Sequence, residues 1–355
     1  MTLDQLLEEP CAWFVDHDPG EIAISSRIRL ARNVEGIPFP QNAEPEALIR
    51  LRGHALQMLR ENDHFLDGTF LELEDVTAEQ RSLLHERSLM SKELAEESDH
   101  GGLAVSKDLR DVVMINEEDH LRLQVMRSGF SLREVWEEIS AVDDDLSEEV
   151  NFAFSERFGY LTCCPTNTGT GLRAGVMLHL PGLVLMEEIR PVVKGLGKMG
   201  LAVRGLGGEG SDADGFYYQI SNQITLGKGE DELIGMIHEV VEEMILHERN
   251  ARIRLEESKP AWLRDRVGRA LGILQNARIL PSKEALDLLS MIRLGLAMGL
   301  LRIQRAHEIE QLMVDSRPAH LQKIAGKALS PEDRDVFRAE WVRSKLADLT
   351  KGPTL

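Results

Sequence analysis

Cysteine is nearly absent from this 355-residue chain, which contains only Cys11, Cys163 and Cys164. Three cysteines are too few for a disulfide framework, and the adjacent pair does not easily bridge itself, so reduced thiols are expected. No hydrophobic run approaches the length that crosses a bilayer, and the N-terminal sequence lacks the basic-then-apolar order of a secretory signal. The sequence therefore predicts a cytoplasmic protein with no membrane partner.

Basic residues are also in short supply. The chain has 41 Lys and Arg against 60 Asp and Glu, which gives a formal net charge of −19. This balance argues against a nucleic acid partner, because neutralising phosphates requires a basic surface, and it suits a cationic partner better. The length and the 43% hydrophobic content predict a globular protein of two or three domains with a sizeable core.

The common nucleotide-binding signatures are missing as well. There is no GxxxxGK[ST] loop and no counterpart of the HRD and DFG motifs of ordinary protein kinases. Residues 195–200 match GxGxxG, but they follow a predicted helix and precede a predicted strand, which reverses the dinucleotide-binding order and indicates a helix C-cap. Residues 169–174 match the looser GxGxxA form and lead into a strand, so we reject them too.

Strands and loops dominate the sequence up to about residue 228, and helices dominate from Glu230 onward. We place the domain boundary near residues 251–260. Alternating apolar and polar residues predict strands at 22–30 and 172–180, and strand-like composition predicts others at 112–115, 121–126, 201–204 and 216–226. Apolar residues at helical spacing, or helix-like composition, predict helices at 44–62, 78–97, 182–195, 233–245, 264–278, 282–304 and 332–348.

The first part of the chain places arginine on strand faces or strand ends, at Arg27, Arg29, Arg122, Arg173 and Arg204. For any one of them alone, a solvated strand face with a carboxylate neighbour is the simpler explanation. Five such positions in an acidic protein without a Walker lysine indicate a polyphosphate site instead, because the guanidinium fork matches phosphate oxygens.

Two glutamates occupy loops from which they could face the arginines, Glu118 after a strand and Glu209 within a glycine-rich loop. A pair of glutamates can hold a planar guanidinium and align its nitrogen for attack on phosphorus, although either residue could equally be a turn residue in water. Cys164 has two explanations of similar weight, a thiolate activated by the arginines or a small buried thiol.

In these segments the chain resembles the phosphagen kinase (ATP:guanido phosphotransferase) family. The matching segments are residues 25–33, 116–122, 164–174, 204–205 with 208–209, and 220–222, in family order. The resemblance implies an α+β fold, in which a catalytic domain with a largely antiparallel sheet flanked by helices occupies residues 1–254. An all-α regulatory and dimerisation domain would follow at residues 255–355.

The resemblance also implies a role for each matching residue. The substrate-gripping glutamates fall on Glu118 and Glu209, and the active-site cysteine falls on Cys164. ATP would bind with Mg²⁺, and the metal would be held through the nucleotide and not by protein ligands. The implied ATP-binding residues are Ser25, Ser26, Arg27, Ile28, Arg29, Arg122, Arg173, Ala174, Gly175, Val176, Met177, Arg204, Gly205, Leu206, Gly207, Gly208 and Glu209.

Within the family, two features favour the bacterial protein-arginine kinases over kinases of small guanidines. Only 24 residues precede Ser25, where small-guanidine kinases carry an extra helical domain that would cover the site. Residues 334–339 match the RDxxRA motif of a phosphoarginine-binding pocket, which implies allosteric roles for Arg334, Asp335 and Arg338. From the sequence alone, an ordinary salt bridge between Asp335 and Arg338 on a helix starting at Ser330 is the simpler explanation.

The chain departs from the family pattern at a few positions. Ser88 stands where a nucleotide-contacting histidine is usual, and His85 one turn earlier is a possible substitute. Gly207 replaces a larger residue in the glycine-rich loop, and Gly175 stands where serine is common.

The expected function is phosphorylation of exposed arginines on protein substrates, which marks them for a Clp unfoldase and protease in a stress response. A McsA-like activator and a homodimer are the further partners that the resemblance implies. Two alternatives stay open at this point: a kinase of free arginine or another small guanidine, and a non-catalytic adaptor that reads phosphoarginine.

Overall fold

The computed structural model describes residues 1–11, 13, 22–97, 99–205, 214–302 and 308–349. The strands in these ranges are β1 (Ala23–Arg32), β2 (Thr69–Glu72), β3 (Gly102–Val105), β4 (Asp111–Ile115), β5 (Leu121–Ser128), β6 (Phe154–Ser155), β7 (Gly159–Tyr160), β8 (Leu172–His179), β9 (Leu201–Gly205) and β10 (Tyr217–Asn222). The helices are α1 (Leu3–Glu8), α2 (Pro45–Glu61), α3 (Ala78–Glu86), α4 (Lys92–Glu97), α5 (Leu132–Glu149), α6 (Pro181–Leu185), α7 (Ile189–Lys198), α8 (Glu230–Ser258), α9 (Pro260–Asn276), α10 (Ser282–Ala297), α11 (Glu308–Asp315), α12 (Pro318–Ala325) and α13 (Pro331–Leu349).

Eight of the described strands form one sheet in the order β2-β3-β4-β5-β1-β8-β10-β9. The pairs β2-β3, β3-β4, β4-β5 and β1-β5 are antiparallel. Strands β6 and β7 form a separate two-stranded hairpin. An antiparallel sheet with helices, followed by a helical C-terminal region, confirms the α+β class.

Taking the described residues alone, the chain forms two compact units. The first comprises Met1–Val15, Ser25–Val176 and Ser221–Glu239, and the second comprises Asp16–Ile24, Met177–Ile220 and Val240–Leu355. In the first unit, α5 buries Val135, Ile139, Val142 and Leu146, which recur at helical spacing. The sequence analysis did not identify α5, although this apolar stripe was its signal.

In the second unit, a buried carboxylate ties two helices together. Both oxygens of Glu248 on α8 accept backbone N–H groups at the start of α6, from Gly182 at 2.8 Å and from Leu183 at 2.9 Å. Arg252 donates to the same carboxylate at 2.6 Å. Burial raises the pKa of Glu248 even though Arg252 and the two N–H groups oppose it. These three partners satisfy a charge that would otherwise be costly to bury.

Helix ends account for most differences between the predicted and the observed elements. The predicted helix at 78–97 is two helices, α3 and α4, separated by Ser88 with φ of 63°. The predicted helix at 182–195 is likewise α6 and α7, separated by Glu187 with φ of 63°. A positive φ at a non-glycine residue ends a helix and is not visible as a break in hydrophobic periodicity.

The glycine-rich segment at 195–200 is a helix end, as predicted. Helix α7 runs to Lys198, Met199 is its C-cap, and Gly200 follows with φ of 78° before β9 begins. A left-handed glycine after the last helical residue is a common way to end a helix. The dinucleotide-binding interpretation is therefore excluded by the order of the elements.

Among the described helices, none is both long enough and apolar enough to cross a bilayer.

One buried carboxylate near the sheet edge makes the stability of the first unit depend on pH. Asp111 at the start of β4 is buried, and one of its carboxylate oxygens has no hydrogen-bond partner among the described residues. Burial, followed by the charges of Glu138 and Asp108, raises its pKa from 3.8 to about 7. The folded protein therefore holds a proton that the unfolded chain has already lost between these two values.

We predict that Asp111→Asn changes how stability depends on pH. In the native chain the contribution of Asp111 is fully present below its unfolded pKa and is lost as pH rises through about 7, which costs up to about 4 kcal/mol. The free energy of unfolding of the variant minus that of the native chain, measured with urea, should be more positive at pH 8 than at pH 5. Asp144→Asn, at an exposed position of α5, is the control; an equal gain at both pH values would contradict the prediction.

Candidate active site

A positively charged face forms where β5, β1 and β8 lie side by side in the sheet. On β1, the half-buried Arg27 and Arg29 alternate with the fully buried Ile28 and Leu30. This alternation places both guanidinium groups on the same side of the strand, as the sequence predicted. The apolar side chains anchor the strand in the core from the other side.

The neighbouring strands add two arginines to this face. In the β1-β5 register, Arg122 pairs with Ala31 and therefore lies diagonal to Arg29, while Gln124 lies directly opposite Arg29. On β8, Arg173 is half-buried between the buried Leu172 and Ala174. We call Arg27, Arg29, Arg122 and Arg173 the arginine face.

The charges on the arginine face repel one another. Burial, followed by the positive charges of Arg122 and Arg173, lowers the pKa of Arg27 from its ordinary value to about 10. Burial also lowers the pKa of Arg29, and Arg27, Arg122 and Arg173 lower it further. Holding like charges together in a half-buried place is unfavourable unless an anion joins them. The arrangement is therefore built for a multiply charged anion.

One guanidinium nitrogen of the face has no hydrogen-bond partner in the described part of the chain. The Nε of Arg29 is buried, and no described residue accepts a hydrogen bond from it. Such an unsatisfied donor costs free energy until an acceptor arrives. Phosphate oxygens are suitable acceptors, because guanidinium groups bind them through parallel hydrogen bonds. The residues of the face thus fit the phosphates of ATP.

Arg122 is held in place by an acidic residue of the preceding turn. Its Nη1 donates to Glu117 at 2.5 Å, and the side chain of Glu117 is only 1% exposed. Burial acts to lower the pKa of Arg122, but the ion pair with Glu117 outweighs burial and raises it. Arg122 stays charged, and its direction is fixed.

Arg32, in contrast, serves the fold. It is fully buried at the end of β1, pairs with Asp143 at 2.6 Å and donates to the Thr170 carbonyl at 2.9 Å. Its guanidinium carbon also lies 3.5 Å from the ring centroid of Tyr160. With these partners, Arg32 fixes the end of β1 and has no donor directed toward the arginine face.

Glu118 projects from the turn between β4 and β5. The turn is shaped by Asn116, which has φ of 55° and donates through Nδ2 to the carbonyls of Leu48 and His100, each at 2.9 Å. Glu118 is half-buried, and its Oε2 accepts a hydrogen bond from Asn167 at 3.3 Å. Burial and the negative charge of Asp119 raise the pKa of Glu118.

The two adjacent cysteines lie in different surroundings. Cys164 is half-buried, and its Sγ lies 2.9 Å from the Thr166 hydroxyl. Burial, followed by the charge of Asp119, raises the pKa of Cys163 to about 12. Cys163 is therefore a neutral thiol, and Cys164 stays the candidate for a role in the site. The hydrogen bond from Asn167 to Glu118 connects the cysteine loop to the carboxylate.

Several residues of the predicted ATP-binding segments belong to the core. Ser25, Ser26 and Ile28 on β1 and Ala174, Gly175 and Val176 on β8 are all buried. The Ser26 hydroxyl bonds the Gly129 carbonyl and the Ser131 N–H, each at 3.0 Å. Met177, in the second unit, is also half-buried. Its spacing of four residues from Arg173 places both side chains on the same face of β8. These residues shape the strands that carry the arginines.

The segment that departs from the family pattern lies beside β5. The Ser88 carbonyl accepts a hydrogen bond at 2.8 Å from Gln124, which lies opposite Arg29. The ring Nδ1 of His85 lies 3.1 Å from the Met90 carbonyl, which ties His85 to its own segment. Of the two, Ser88 is linked to the arginine face through Gln124.

The remaining predicted residues lie elsewhere or are not described. Arg204 is exposed near the end of β9, and Gly205 follows it. The predictions for Leu206, Gly207, Gly208 and Glu209 fall outside the described residues. The sequence analysis gave no individual role to Glu117, Gln124 or Asn167. A signal for Gln124 was its position two residues after Arg122 on the same strand face.

The predicted RDxxRA segment begins helix α13 in the second unit. Ser330 caps this helix by accepting a hydrogen bond from the Asp333 N–H at 3.1 Å, as the sequence predicted. Arg338 is buried and donates to the carbonyls of Ser316 at 2.7 Å and Leu280 at 2.8 Å, and to Asp335 at 2.5 Å. Arg334 is half-buried and donates to the Leu329 carbonyl at 3.2 Å.

Comparisons with known proteins support the motif-based resemblance. Residues 52–251 match the family described as "ATP:guanido phosphotransferase, C-terminal catalytic domain", and residues 260–354 match "Protein-arginine kinase McsB C-terminal domain". The chain is 44% identical over 345 residues to the protein-arginine kinase of Moorella thermoacetica, covering 96% of this chain and 99% of the relative. It is 43% identical over 349 residues to the protein-arginine kinase of Halalkalibacterium halodurans, covering 98% of each.

The fold is also similar to that of a solved kinase. The crystal structure of a lombricine kinase superposes with a TM-score of 0.58 and 26% sequence identity, covering 68% of this chain and 70% of that one. The motif-based identification of the family is confirmed by these matches.

We predict that Arg29→Gln weakens anion binding without destabilising the free protein. Inorganic triphosphate should raise the unfolding temperature of the native chain, because it relieves the repulsion on the arginine face. The variant should bind triphosphate about 10–100-fold more weakly in calorimetric titration, the loss expected for a charge-assisted hydrogen bond. Its unfolding temperature without triphosphate should be equal to or above that of the native chain.

Arg269→Gln is the matched control, because this arginine is exposed on α9 and pairs with Asp265 of the same helix at 2.8 Å. It should bind triphosphate like the native chain. Equal affinity of Arg29→Gln and the native chain would contradict the anion site.

Proposed function

This chain belongs to the ATP:guanido phosphotransferase family, in its protein-arginine kinase branch, and from this premise we propose that it transfers the γ-phosphate of ATP to arginine side chains of proteins, which marks them for a Clp protease. The observation that carries the proposal is the arginine face with Glu118 on an adjacent turn. The face supplies positive charge for the phosphates, and the turn supplies a carboxylate for the guanidinium of the substrate.

Binding is assigned to the arginine face. In this proposal, Arg27, Arg29, Arg122 and Arg173 hold the phosphates of ATP, and Arg204 and the residues that follow it complete the nucleotide site. Mg²⁺ bound to the phosphates supplies further positive charge to the transferring group. The rigid strands keep the guanidinium groups in place before the nucleotide arrives, which lowers the reorganisation needed during the reaction.

Glu118 and Glu209 are assigned to the substrate guanidinium. Because a free guanidinium has a pKa above about 12, prior deprotonation is unfavourable. The carboxylates instead orient the group, so that a terminal nitrogen attacks the γ-phosphorus in line. As the N–P bond forms, the bond from the γ-phosphorus to the bridging oxygen breaks, ADP leaves, and a carboxylate accepts the proton of the attacking nitrogen. Cys164 lies on the loop that contacts Glu118 through Asn167.

The first test is the transfer of labelled γ-phosphate from Mg-ATP to a basic protein, with the acid lability of phosphoarginine as the chemical signature. Glu118→Gln should lower kcat about 10²–10⁴-fold, because it removes the proton acceptor, and should leave ATP binding unchanged. Glu256→Gln, at an exposed position of α8, should retain full activity.

Free arginine supplied in place of the protein separates the two kinases. A soluble phosphagen formed as fast as protein phosphoarginine would assign the chain to small guanidines. Phosphoarginine binding without any ATP turnover would leave only the adaptor.

We also propose that Arg334, Asp335 and Arg338 form an allosteric pocket for phosphoarginine. The buried Arg338 fixes the Asp335 carboxylate through a hydrogen bond of 2.5 Å, and two carbonyls fix Arg338 in turn. Asp335, whose side chain is 30% exposed, then faces the incoming guanidinium. The half-buried Arg334 is assigned to the phosphoryl group.

Substitutions of the three residues should have two different effects: weaker binding of phosphoarginine for two of them and a lower free energy of unfolding for the third. Arg334→Gln and Asp335→Asn should each weaken binding of free phosphoarginine about 10-fold or more in calorimetric titration, with little change in stability. Arg338→Ala should lower the free energy of unfolding by roughly 2–5 kcal/mol, because it leaves carbonyls and a carboxylate without their donor. Native affinity in both Arg334→Gln and Asp335→Asn would exclude this pocket.

The wider setting is proposed from the family. We place the catalytic domain at residues 1–254 and the regulatory and dimerisation domain at residues 255–355. We further propose a cytoplasmic homodimer that a McsA-like activator stimulates under stress. Sedimentation of the purified chain tests the dimer, and added activator should raise the rate of arginine phosphorylation.

A further inference from the structure

Three separate segments of the first unit meet at a pair of buried polar side chains. The first segment is the residue after β1, Asn33. The second is the turn that carries Glu118, through Asp119 and His120. The third is the cysteine loop, through the backbone of Cys163. Asn33 is 1% exposed and Asp119 is 2% exposed, so both side chains are shielded from bulk solvent.

The hydrogen bonds between these segments are short and run in both directions. Asn33 donates through Nδ2 to Asp119 at 2.6 Å and accepts through Oδ1 from the His120 N–H at 2.9 Å. Asp119 Oδ1 also accepts from the Cys163 N–H at 2.7 Å. Asn33 thereby holds the turn through the Asp119 carboxylate and through the His120 N–H. Asp119 in turn joins the turn to the cysteine loop.

The position of this pair in the chain relates it to the reacting groups. Asp119 directly follows Glu118, and Cys163 directly precedes Cys164. Asn33 follows the strand that carries Arg27 and Arg29. Asp119 is therefore one residue from the substrate carboxylate, and its partner Cys163 is one residue from the active-site thiol. Asn33 lies at the end of the phosphate-binding strand. Asn33 Nδ2, Asn33 Oδ1 and Asp119 Oδ1 each already have a protein partner.

We propose that Asn33 and Asp119 form a buried clamp of positioning residues, which sets the Glu118 carboxylate at a fixed distance from the arginine face and from the cysteine loop. The proposal rests on the function proposed above, in which Glu118 orients the substrate guanidinium. In-line transfer needs the attacking nitrogen held to within about 0.5 Å, and a displacement of about 1 Å can cost about 100-fold in rate.

A reciprocal exchange of the two side chains tests the clamp. Asn33→Asp replaces the donor with a second carboxylate that faces Asp119, and repulsion should move the Glu118 turn. Asp119→Asn keeps an oxygen that can accept from both Asn33 and Cys163. In the double variant, Asn33→Asp with Asp119→Asn, the new amide at position 119 can donate to the new carboxylate at position 33, which can still accept from the His120 N–H. The Cys163 N–H, which shares Asp119 Oδ1 with Asn33 in the native chain, and the Leu161 carbonyl, which accepts from Asn33 at 3.0 Å, lose these partners, so the exchange restores only the link between Asn33 and the Glu118 turn.

The expected results follow from this pairing. Asn33→Asp should lower kcat for arginine phosphorylation about 100-fold or more while the Kd for ATP changes less than about threefold, because the strands hold the arginine face. The double variant should recover at least about tenfold of the lost kcat. Circular dichroism and the ATP titration report whether each variant is folded, so that a loss of active protein is separated from a loss of positioning.

The pH profile gives a second readout, which reports the electrostatic coupling of Asp119 to Glu118. The groups that bear on Glu118 are the negative Asp119, Glu117 and Glu93, the positive Arg122, and Asn167, which donates a hydrogen bond to it. Asp119→Asn removes a negative charge that raises the pKa of Glu118, so this pKa should fall. Because the rate is lost when Glu118 takes up a proton, the acid limb of kcat/KM should move to lower pH in this variant.

Each outcome bears on the clamp. Full kcat in a folded Asn33→Asp variant would overturn it, as would a double variant no faster than Asn33→Asp, and an unmoved acid limb in Asp119→Asn would overturn the coupling to Glu118. A native chain that transfers no phosphate, or a Glu118→Gln variant with native kcat, would overturn the proposed function itself, and the clamp with it. If Asn33→Asp fails to fold, recovery of folding without recovery of kcat in the double variant overturns the clamp.

Discussion

Mutual repulsion among guanidinium groups is the constraint around which the first unit is organised. Arg27 and Arg29 are held close to Arg122 and Arg173 on a half-buried face, where water screens their charges poorly. The protein tolerates this cost because the strands that carry the arginines are fixed by an extensive apolar core on their other side. Because a bound polyphosphate relieves this repulsion, the unfavourable charge distribution of the free protein favours binding of a polyphosphate.

The acidic groups near this face are kept in separate roles by their surroundings. Glu117 is buried and neutralises one arginine, so it stabilises the site without occupying the place of a ligand. Glu118, one residue later, contacts Asn167 and has a pKa raised by burial and by Asp119. Asp119 is buried and bonded to two other segments. In the proposed mechanism these three consecutive carboxylates serve charge balance, substrate orientation and positioning, and the turn geometry distinguishes them.

The sequence predicted the strands of the arginine face because their alternation is strict. Ile28 and Leu30 between the arginines of β1, and Leu172 and Ala174 around Arg173, give a period of two that only a half-buried strand produces. Hydrophobic period could not reveal the interruptions at Ser88 and Glu187, because a single residue with positive φ leaves the apolar spacing on either side intact. The hydrogen bonds of Asn33 and Asp119 were equally hidden, since the two side chains bond to each other and to backbone groups far away in the chain.

The alternation on β1 also constrains how the chain can change over evolutionary time. Because arginine and core-facing side chains alternate along one strand, an insertion or deletion of a single residue before Arg27 would rotate the rest of the strand by half a turn. Guanidinium groups would then enter the hydrocarbon interior while isoleucine and leucine lined the nucleotide site. Length variation should therefore be confined to the segments on either side of the strand, and the spacing from Ser25 to Arg32 should be invariant among functional descendants.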